Sequence, residues 1–245
     1  TGSLAVGLDW SPSPAWRLGL LASVADEELD FLGSGGSADV RYTGLMALAT
    51  WSRGPFSVDA YAGRLAGDYD LVRAIDYSLL SGVSFQAIAT ASTDADRDLA
   101  GLGLTGARPA GAFEWQLGAG IDWQSTAIEA YDEAGGGGLA ISVPARTITS
   151  RRGRLDATLA RTWSTGWGVL QPMLRLGWRH EFANPARPLS VTFQGDTAQT
   201  PITFETDDAD RQWGEIGLGA VFVARGGHSG FVEWRRRFGH AFLDE

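Results

Sequence analysis

Between Leu170 and Glu181, apolar and polar side chains alternate one for one. Leu170, Pro172, Leu174, Leu176 and Trp178 occupy one set of alternate positions; Gln171, Met173, Arg175, Gly177, Arg179 and Glu181 occupy the other. A strand sends successive side chains to opposite faces, so this period predicts a strand with one apolar face and one face of charge, amide and glycine. The pattern recurs where Phe113, Trp115, Leu117, Ala119, Ile121 and Trp123 alternate with Glu114, Gln116, Gly118, Gly120, Asp122 and Gln124.

Reading the whole chain this way predicts ten strands, at 2–10, 16–31, 38–51, 56–71, 95–108, 112–130, 150–164, 167–183, 210–224 and 229–242. Short connections rich in Gly and Pro (Ser11–Pro14, Ser52–Pro55, Pro109–Gly111, Ser164–Gly166 and Arg225–His228) alternate with longer ones near 32–37, 72–94, 131–149 and 184–209. Gly and Pro suit tight turns because they supply unusual or fixed backbone angles. Regular short/long alternation is the pattern of periplasmic turns and extracellular loops in an outer-membrane barrel.

Aromatic residues gather at the short turns: Trp10, Trp16, Trp51, Phe56, Phe113, Trp163, Trp167 and Phe222. A second group, Phe31, Tyr42, Trp123, Trp178, Phe182 and Trp234, sits further along the strands. Amphipathic rings are favoured at the headgroup level, so two girdles around a Leu/Val/Ala band match a bilayer cross-section. A soluble sandwich with its apolar face inward would show the same period. Three features favour the membrane. The strands exceed the ~5–6 residues usual in soluble sheets. The tryptophans collect at strand ends, and the polar face mixes glycine with opposite charges, which suits a narrow lumen.

The expected fold is therefore all-β, a transmembrane antiparallel up-and-down β-barrel. The first predicted strand runs toward a short turn and the last one leaves a short turn. With both chain ends expected in the periplasm, one strand is expected beyond each end, giving the even count of twelve that single-chain bacterial barrels keep. Residues 1–245 are read as one domain lacking its first and last strands. The chain begins with Thr rather than Met, which points to part of a longer precursor.

Composition adds constraints. There is no run of ~18 apolar residues, so no spanning helix is expected, but a spanning strand needs only ~10 residues with alternate apolar positions. Mean hydropathy near zero fits either environment. The absence of cysteine excludes a disulfide framework and a thiolate metal site. All twenty basic residues are arginine, whose fork suits two-point pairing with carboxylates in a lumen. A net charge of −9 argues against nucleic acid as a partner.

Three segments then carry a family resemblance. Ile128-Glu129-Ala130-Tyr131-Asp132-Glu133-Ala134-Gly135 resembles the I-x-x-Y-x-E-x-G segment of autotransporter β-domains. Leu170–Phe182 is similar to that family's L-x-P-x-x-R-L-x-W-x-H-E-F strand. Gly217–Ala220 with Ser229–Trp234 resembles its penultimate hairpin. The segments occur in the family's order, and the resemblance spans the chain, most strongly from about 112 to 234. It implies a twelve-stranded translocator of type V secretion, anchored in the bacterial outer membrane, that helps its own N-terminal passenger polypeptide reach the cell surface. A helix leading to the passenger usually threads such a pore. The implied partners are that passenger, outer-membrane lipid, the barrel-assembly machinery and periplasmic chaperones. A general porin or diffusion channel is the alternative.

Register on the strands nominates lumen charges: Asp9, Arg17, Arg41, Asp59, Glu114, Asp122, Arg154, Asp156, Arg175, Arg179, Glu181, Glu215, Glu233 and Arg235. Mutual pairing that fills a narrow pore is the simplest role for them; contact with a threaded polypeptide is the other. Some family members cut their linker with a lumen acid, for which Asp59, Glu114 and Asp122 would be the candidates. His180 is expected on the lipid side near the extracellular edge and His228 in a periplasmic turn, too far apart for a shared hydrolytic site. Asp207-Asp208-Ala209-Asp210 has the charge to bind a divalent cation, but a solvated loop is the commoner explanation of such a run. Gly135–Gly138 reads as a flexible loop without the strand-to-helix context of a phosphate site. No catalytic residue, metal or cofactor is expected.

Overall fold

The computed structural model describes residues 2–31, 35–78, 82, 84–183, 188–205 and 210–239. Sixteen strands follow in chain order: β1 (Gly2–Ser13), β2 (Trp16–Phe31), β3 (Gly36–Arg53), β4 (Phe56–Ser78), β5 (Ser84–Ala110), β6 (Phe113–Ile128), β7 (Tyr131–Asp132), β8 (Ala134–Gly135), β9 (Ile141–Val143), β10 (Arg146–Arg161), β11 (Trp163–Ser164), β12 (Gly168–Glu181), β13 (Leu189–Phe193), β14 (Ile202–Phe204), β15 (Gln212–Ala224) and β16 (Ser229–Phe238). The long ones form one antiparallel sheet in the order β1-β2-β3-β4-β5-β6-β10-β12-β15-β16, each beside its neighbour in the chain's path. Among the described residues β1 and β16 do not pair with each other, so the wall has two open edges.

The ten wall strands answer to the ten read from the sequence, with three corrections. β4 runs to Ser78 and β5 starts at Ser84, so most of the expected loop 72–94 is strand paired residue for residue, from Val72↔Thr90 to Ser78↔Ser84. The expected loop 131–149 contains β7, β8, β9 and the start of β10, and 184–209 contains β13 and β14. These pieces build a second sheet in the order β14-β13-β9-β7. The Gly135–Gly138 segment docks instead of hanging free: β8 pairs with β5 at Ala89↔Gly135, and Gly136–Gly138 form a 3-10 turn with Gly136 buried. The last expected strand ends at Phe238; its residues 240–242, with His240, and Asp207–Ala209 lie outside the described residues.

Register divides the wall into two faces. Directly opposite residues share a face, so the row Trp16, Trp51, Val58, Leu104, Ala119, Leu155, Trp178 belongs to one face. This apolar face also carries Leu4, Val6, Leu8 and Trp10 of β1, Leu117 and Ile121 of β6, and Leu176 and Leu218 of β12 and β15, all exposed. The other face carries Asp59, Tyr61, Asp122, Arg154, Arg179 and Glu215. Tyr42 and Phe31, expected in the second aromatic girdle, have the parity of this polar face: Tyr42 lies opposite Gly67, and its hydroxyl shares a 2.7 Å hydrogen bond with that of Tyr69. Arg41, expected with the lumen charges, falls on the apolar-face parity and donates to Asp26 at 2.8 Å.

Among the described residues, most of the packed core sits at the loop end. Ala38, Val40, Ala89, Ala95, Ala140, Val143 and Val191 are buried there, while Ala160 is buried near the turns. No large side chain is fully buried among the described residues, because a single sheet cannot enclose one. At the loop end the segments 129–145 and 188–205 provide the second layer that burial requires.

Candidate functional site

Three groups of polar side chains cross the polar face of the wall. In the first, the Tyr61 hydroxyl on β4 donates to Asp122 on β6 at 2.7 Å, reaching past β5. Arg154 on β10 approaches the same carboxylate from the other side at 4.0 Å. Both side chains lie flat because the wall beneath them is glycine. A Cβ at Gly101 would stand 2.3 Å from the Tyr61 ring, and one at Gly120 would stand 2.5 Å from Nε of Arg154. Neither position can hold a side chain without lifting Tyr61 or Arg154 off the wall. Thr50 meanwhile donates to Asp59 at 2.7 Å, with Ser57 near the other oxygen at 3.5 Å.

The second group joins β10, β12, β15 and β16. Arg179 pairs with Asp156 at 2.8 Å and approaches Glu215 at 3.9 Å, and Arg237 donates to Glu215 at 3.1 Å. In the third, Arg175 on β12 and Arg235 on β16 both pair with Glu233, the latter at 2.9 Å. Guanidinium forks alternate with carboxylates along the wall, five arginines with four carboxylates, so most of the charge is compensated there. These pairs are half-exposed, and each contributes little to stability by itself. Their chemical effect is a hydrated, nearly neutral surface of fixed dipoles.

The nominated residues therefore separate. Asp122, Arg154, Asp156, Arg175, Arg179, Glu215, Glu233 and Arg235 are interlinked. Asp59 stands apart with its two hydroxyls, and Glu114 is exposed near the turn end of β6. Among the described residues no hydrogen bond or ion pair joins Asp59, Glu114 and Asp122 to one another. Of the nominated aromatics, Trp10, Trp16, Trp51, Phe56, Trp163 and Phe222 at the turn end, and Trp123, Trp178 and Trp234 further along, all share the apolar-face parity; Trp167 is exposed in the turn before β12. His180 stacks with Trp178 at 5.6 Å and meets Phe182 edge-on at 4.7 Å, while His228 occupies the β15–β16 turn.

Several contributors escape sequence reasoning. Tyr61 and Arg237 have the right parity, but nothing in the alternation singles them out. The most consequential is at the loop end. Arg73 on β4 grips Glu133 with both fork nitrogens at 2.7 and 2.5 Å and donates to the Leu139 carbonyl at 2.9 Å. Glu133 is buried and also accepts from the Ile141 amide at 3.0 Å. Gln194 donates to the Glu133 carbonyl at 2.7 Å, tying in the other loop. Nearby, Tyr131 has its phenol pushed up by burial. Glu133, Tyr131 and Gly135 are the signature positions of the I-x-x-Y-x-E-x-G segment. The structure shows what two of them do: Glu133 and Gly135 dock the segment 129–145 onto β4 and β5. Gly135 to Gly138 have φ of 87°, 72°, 58° and 90°, a run that only glycine adopts at low cost. Among the described residues no cluster of His, Asp and Glu has the arrangement of a metal site.

The chain matches the family described as the autotransporter beta-domain over residues 1–235. Two solved structures share its fold. One is the translocator domain of autotransporter NalP from Neisseria meningitidis, at 13% identity and a TM-score of 0.60, covering 96% of this chain and 72% of that one. The other is the beta domain of the Bordetella autotransporter BrkA, at 19% identity and a TM-score of 0.54, covering 96% of this chain and 82% of that one. No curated protein sequence matches the chain.

Proposed function

The chain belongs to the autotransporter β-domain family, and from that premise we propose how its wall serves export. It is an outer-membrane β-barrel translocator that anchors in the membrane and supports passage of an N-terminal passenger to the cell surface. Our reading of the route is that the polar face lines the lumen and the apolar face meets lipid. The carrying observation is the flattened charge network. Tyr61 and Arg154 lie on glycine floors, and Arg175, Arg179, Glu215 and Glu233 are neutralised within the wall. Such a surface stays wet without gripping a passing segment, because each surface pair is weak and exchangeable. The porin alternative is set aside on the family match.

The domain acts in this reading without chemistry of its own. Asp122 is held between Tyr61 and Arg154, Asp59 by two hydroxyls, and His180 and His228 belong to opposite ends of the strands. The open edges of β1 and β16 cannot persist in lipid, where each unpaired backbone group costs several kcal/mol, roughly, so closure needs further pairing. A strand at each edge would complete a twelve-stranded domain, folded in place by the barrel-assembly machinery after delivery by periplasmic chaperones. The test is a reporter fused upstream of the completed domain behind a signal peptide. External protease should reach the reporter, and removing the closing strand should abolish this. A barrel that assembles while its reporter stays periplasmic would contradict the reading and support a channel.

A further inference from the structure

On β2–β5 the loop end of the apolar face is acidic, whereas the turn end of that face is basic. At the loop end of β2–β5, Asp26, Glu28, Asp39, Asp68, Asp70 and Asp96 share the apolar-face parity. Both arginines among them are paired: Arg41 with Asp26, and Arg64 with Asp96 and Asp98. The turn end is different. Arg53, Arg108 and Arg161 have the apolar-face parity there, opposite Phe56, Trp115 and Phe113 respectively. All three are exposed, and none has an ion pair among the described residues.

The turn-end carboxylates Asp9, Asp59 and Glu114 lie on the other face, and the five tight turns contain no Asp or Glu. Arg161 is held in place: its guanidinium carbon lies 5.2 Å from the Phe113 ring and 5.4 Å from the Trp163 ring. Stacking of this kind fixes the plane of the fork and leaves its N–H edge free to face an anion.

Resting on the membrane reading above, we propose that this arginine–aromatic collar binds the phosphate of anionic phospholipid headgroups in the leaflet meeting the turn end. The occupant follows from charge and position. The collar sits one girdle beyond an apolar band that acyl chains cover, where the next groups outward are headgroups. Unpaired forks with no competing carboxylate on their face match phosphate oxygens two at a time. On β2–β5 the loop end is acidic and its two arginines are internally paired, so that sector offers no such seat; Arg151 and Arg236 carry the apolar-face parity at the loop end of β10 and β16.

The test is lipid retention by the full-length protein in nanodiscs of phosphatidylcholine with and without phosphatidylglycerol, read by native mass spectrometry after partial delipidation. Insertion is checked separately by heat-modifiable gel mobility, so failure of the membrane reading is distinguished from failure of this one. Wild type should keep phosphatidylglycerol in preference to phosphatidylcholine. Arg53→Gln, Arg108→Gln and Arg161→Gln should each weaken that preference, by about 5-fold per arginine. Arg41→Gln and Arg64→Gln should leave it unchanged. The single variants keep the test readable if a triple variant fails to assemble. No preference in wild type, or an undiminished preference in all three variants, overturns the proposal. Displacement of the lipid by soluble poly-glutamate but not by inorganic phosphate would assign the collar to an acidic protein and overturn it as well.

Discussion

The two halves of β4 obey the same parity and carry opposite polarity. Near the turn, Val58, Ala60 and Ala62 point to one face and Asp59 and Tyr61 to the other. Beyond Gly67, the face that held alanine holds Asp68, Asp70 and Asp76, and the face that held Asp59 holds Leu71, Ile75 and Tyr77. β5 mirrors the change: Leu102 and Leu104 share a face with Asp94 and Asp96, while Phe85 and Ala89 continue the face of Gly101 and Gly103. Nothing in the backbone marks the switch; the surroundings do. A bilayer crossing needs about 9–11 tilted residues, so much of the 27-residue β5 stands clear of lipid. In the proposed orientation its outer face meets water there, and its inner face meets the cap formed by 129–145 and 188–205. In that orientation one strand pair is a pore wall at one end and half of a two-layered core at the other.

Substitutions that cross this boundary should separate the halves. The largest effect is expected from arginine on the outer face. Leu174→Arg, mid-strand in β12, should destabilise the folded barrel by about 2–4 kcal/mol if it lies near the midplane. Asp70→Arg, on the same face beyond the switch, should cost almost nothing. Paired folding titrations in lipid vesicles measure both. Equal costs at the two sites would erase the distinction.

Next in size is the cap latch. Arg73→Ala leaves the buried Glu133 without its fork. Removing one partner of a charged hydrogen bond costs roughly 1.5–3 kcal/mol, and the lower part of that range applies because Arg73 is partly exposed. The loss should be local, with faster proteolysis within 129–145 and an unchanged denaturation midpoint for the wall. Gly101→Ala tests the wall itself. Its Cβ would strike the Tyr61 ring, so Tyr61 should leave Asp122 at a cost of about 1–3 kcal/mol. Single-channel conductance of the closed barrel should change with it.

The smallest expected effect is a titration. Asp196 is exposed, and the amides of Thr200 and Ala198 hold its carboxyl below the usual carboxylate range. A depressed folded value means that the turn is stabilised above the unfolded value of about 3.9, and that this stabilisation fades as pH falls through the lower folded value. Amide exchange at Ala198 and Thr200 should therefore quicken in acid while exchange in the wall strands does not.

Much of the membrane half was legible because alternation is its design rule. Leu174 against Arg175 and Ile121 against Asp122 announce both faces from the order of residues alone. The loop half was illegible for three physical reasons. The apolar parity of β4 and β5 inverts near Gly67, so a pattern followed from Val58 ends where the strand only changes sides. The cap strands β7, β9 and β14 are two or three residues long, too short for any period to register. The latch joins Arg73 to Glu133 across 60 positions. Glu133 stood out within its motif, but its partner could not. The ion pairs lie between these extremes: parity placed Arg179 and Glu215 on one face, whereas the glycine floors under Tyr61 and Arg154 depend on side-chain positions that no period encodes.

The most direct test of the polarity switch uses the absence of cysteine from residues 1–245. Single cysteines along the outer face of β4, at positions 60, 62, 70 and 76, can be spin-labelled in the full-length protein reconstituted in lipid, with any cysteine outside residues 1–245 replaced by serine. Collision rates with oxygen and with a water-soluble nickel chelate then report depth. Oxygen-dominated collisions are expected at 60 and 62 and nickel-dominated collisions at 70 and 76, with the crossover between them. Nickel-dominated collisions at 60 and 62 would mean that this face does not meet lipid, and would contradict the switch.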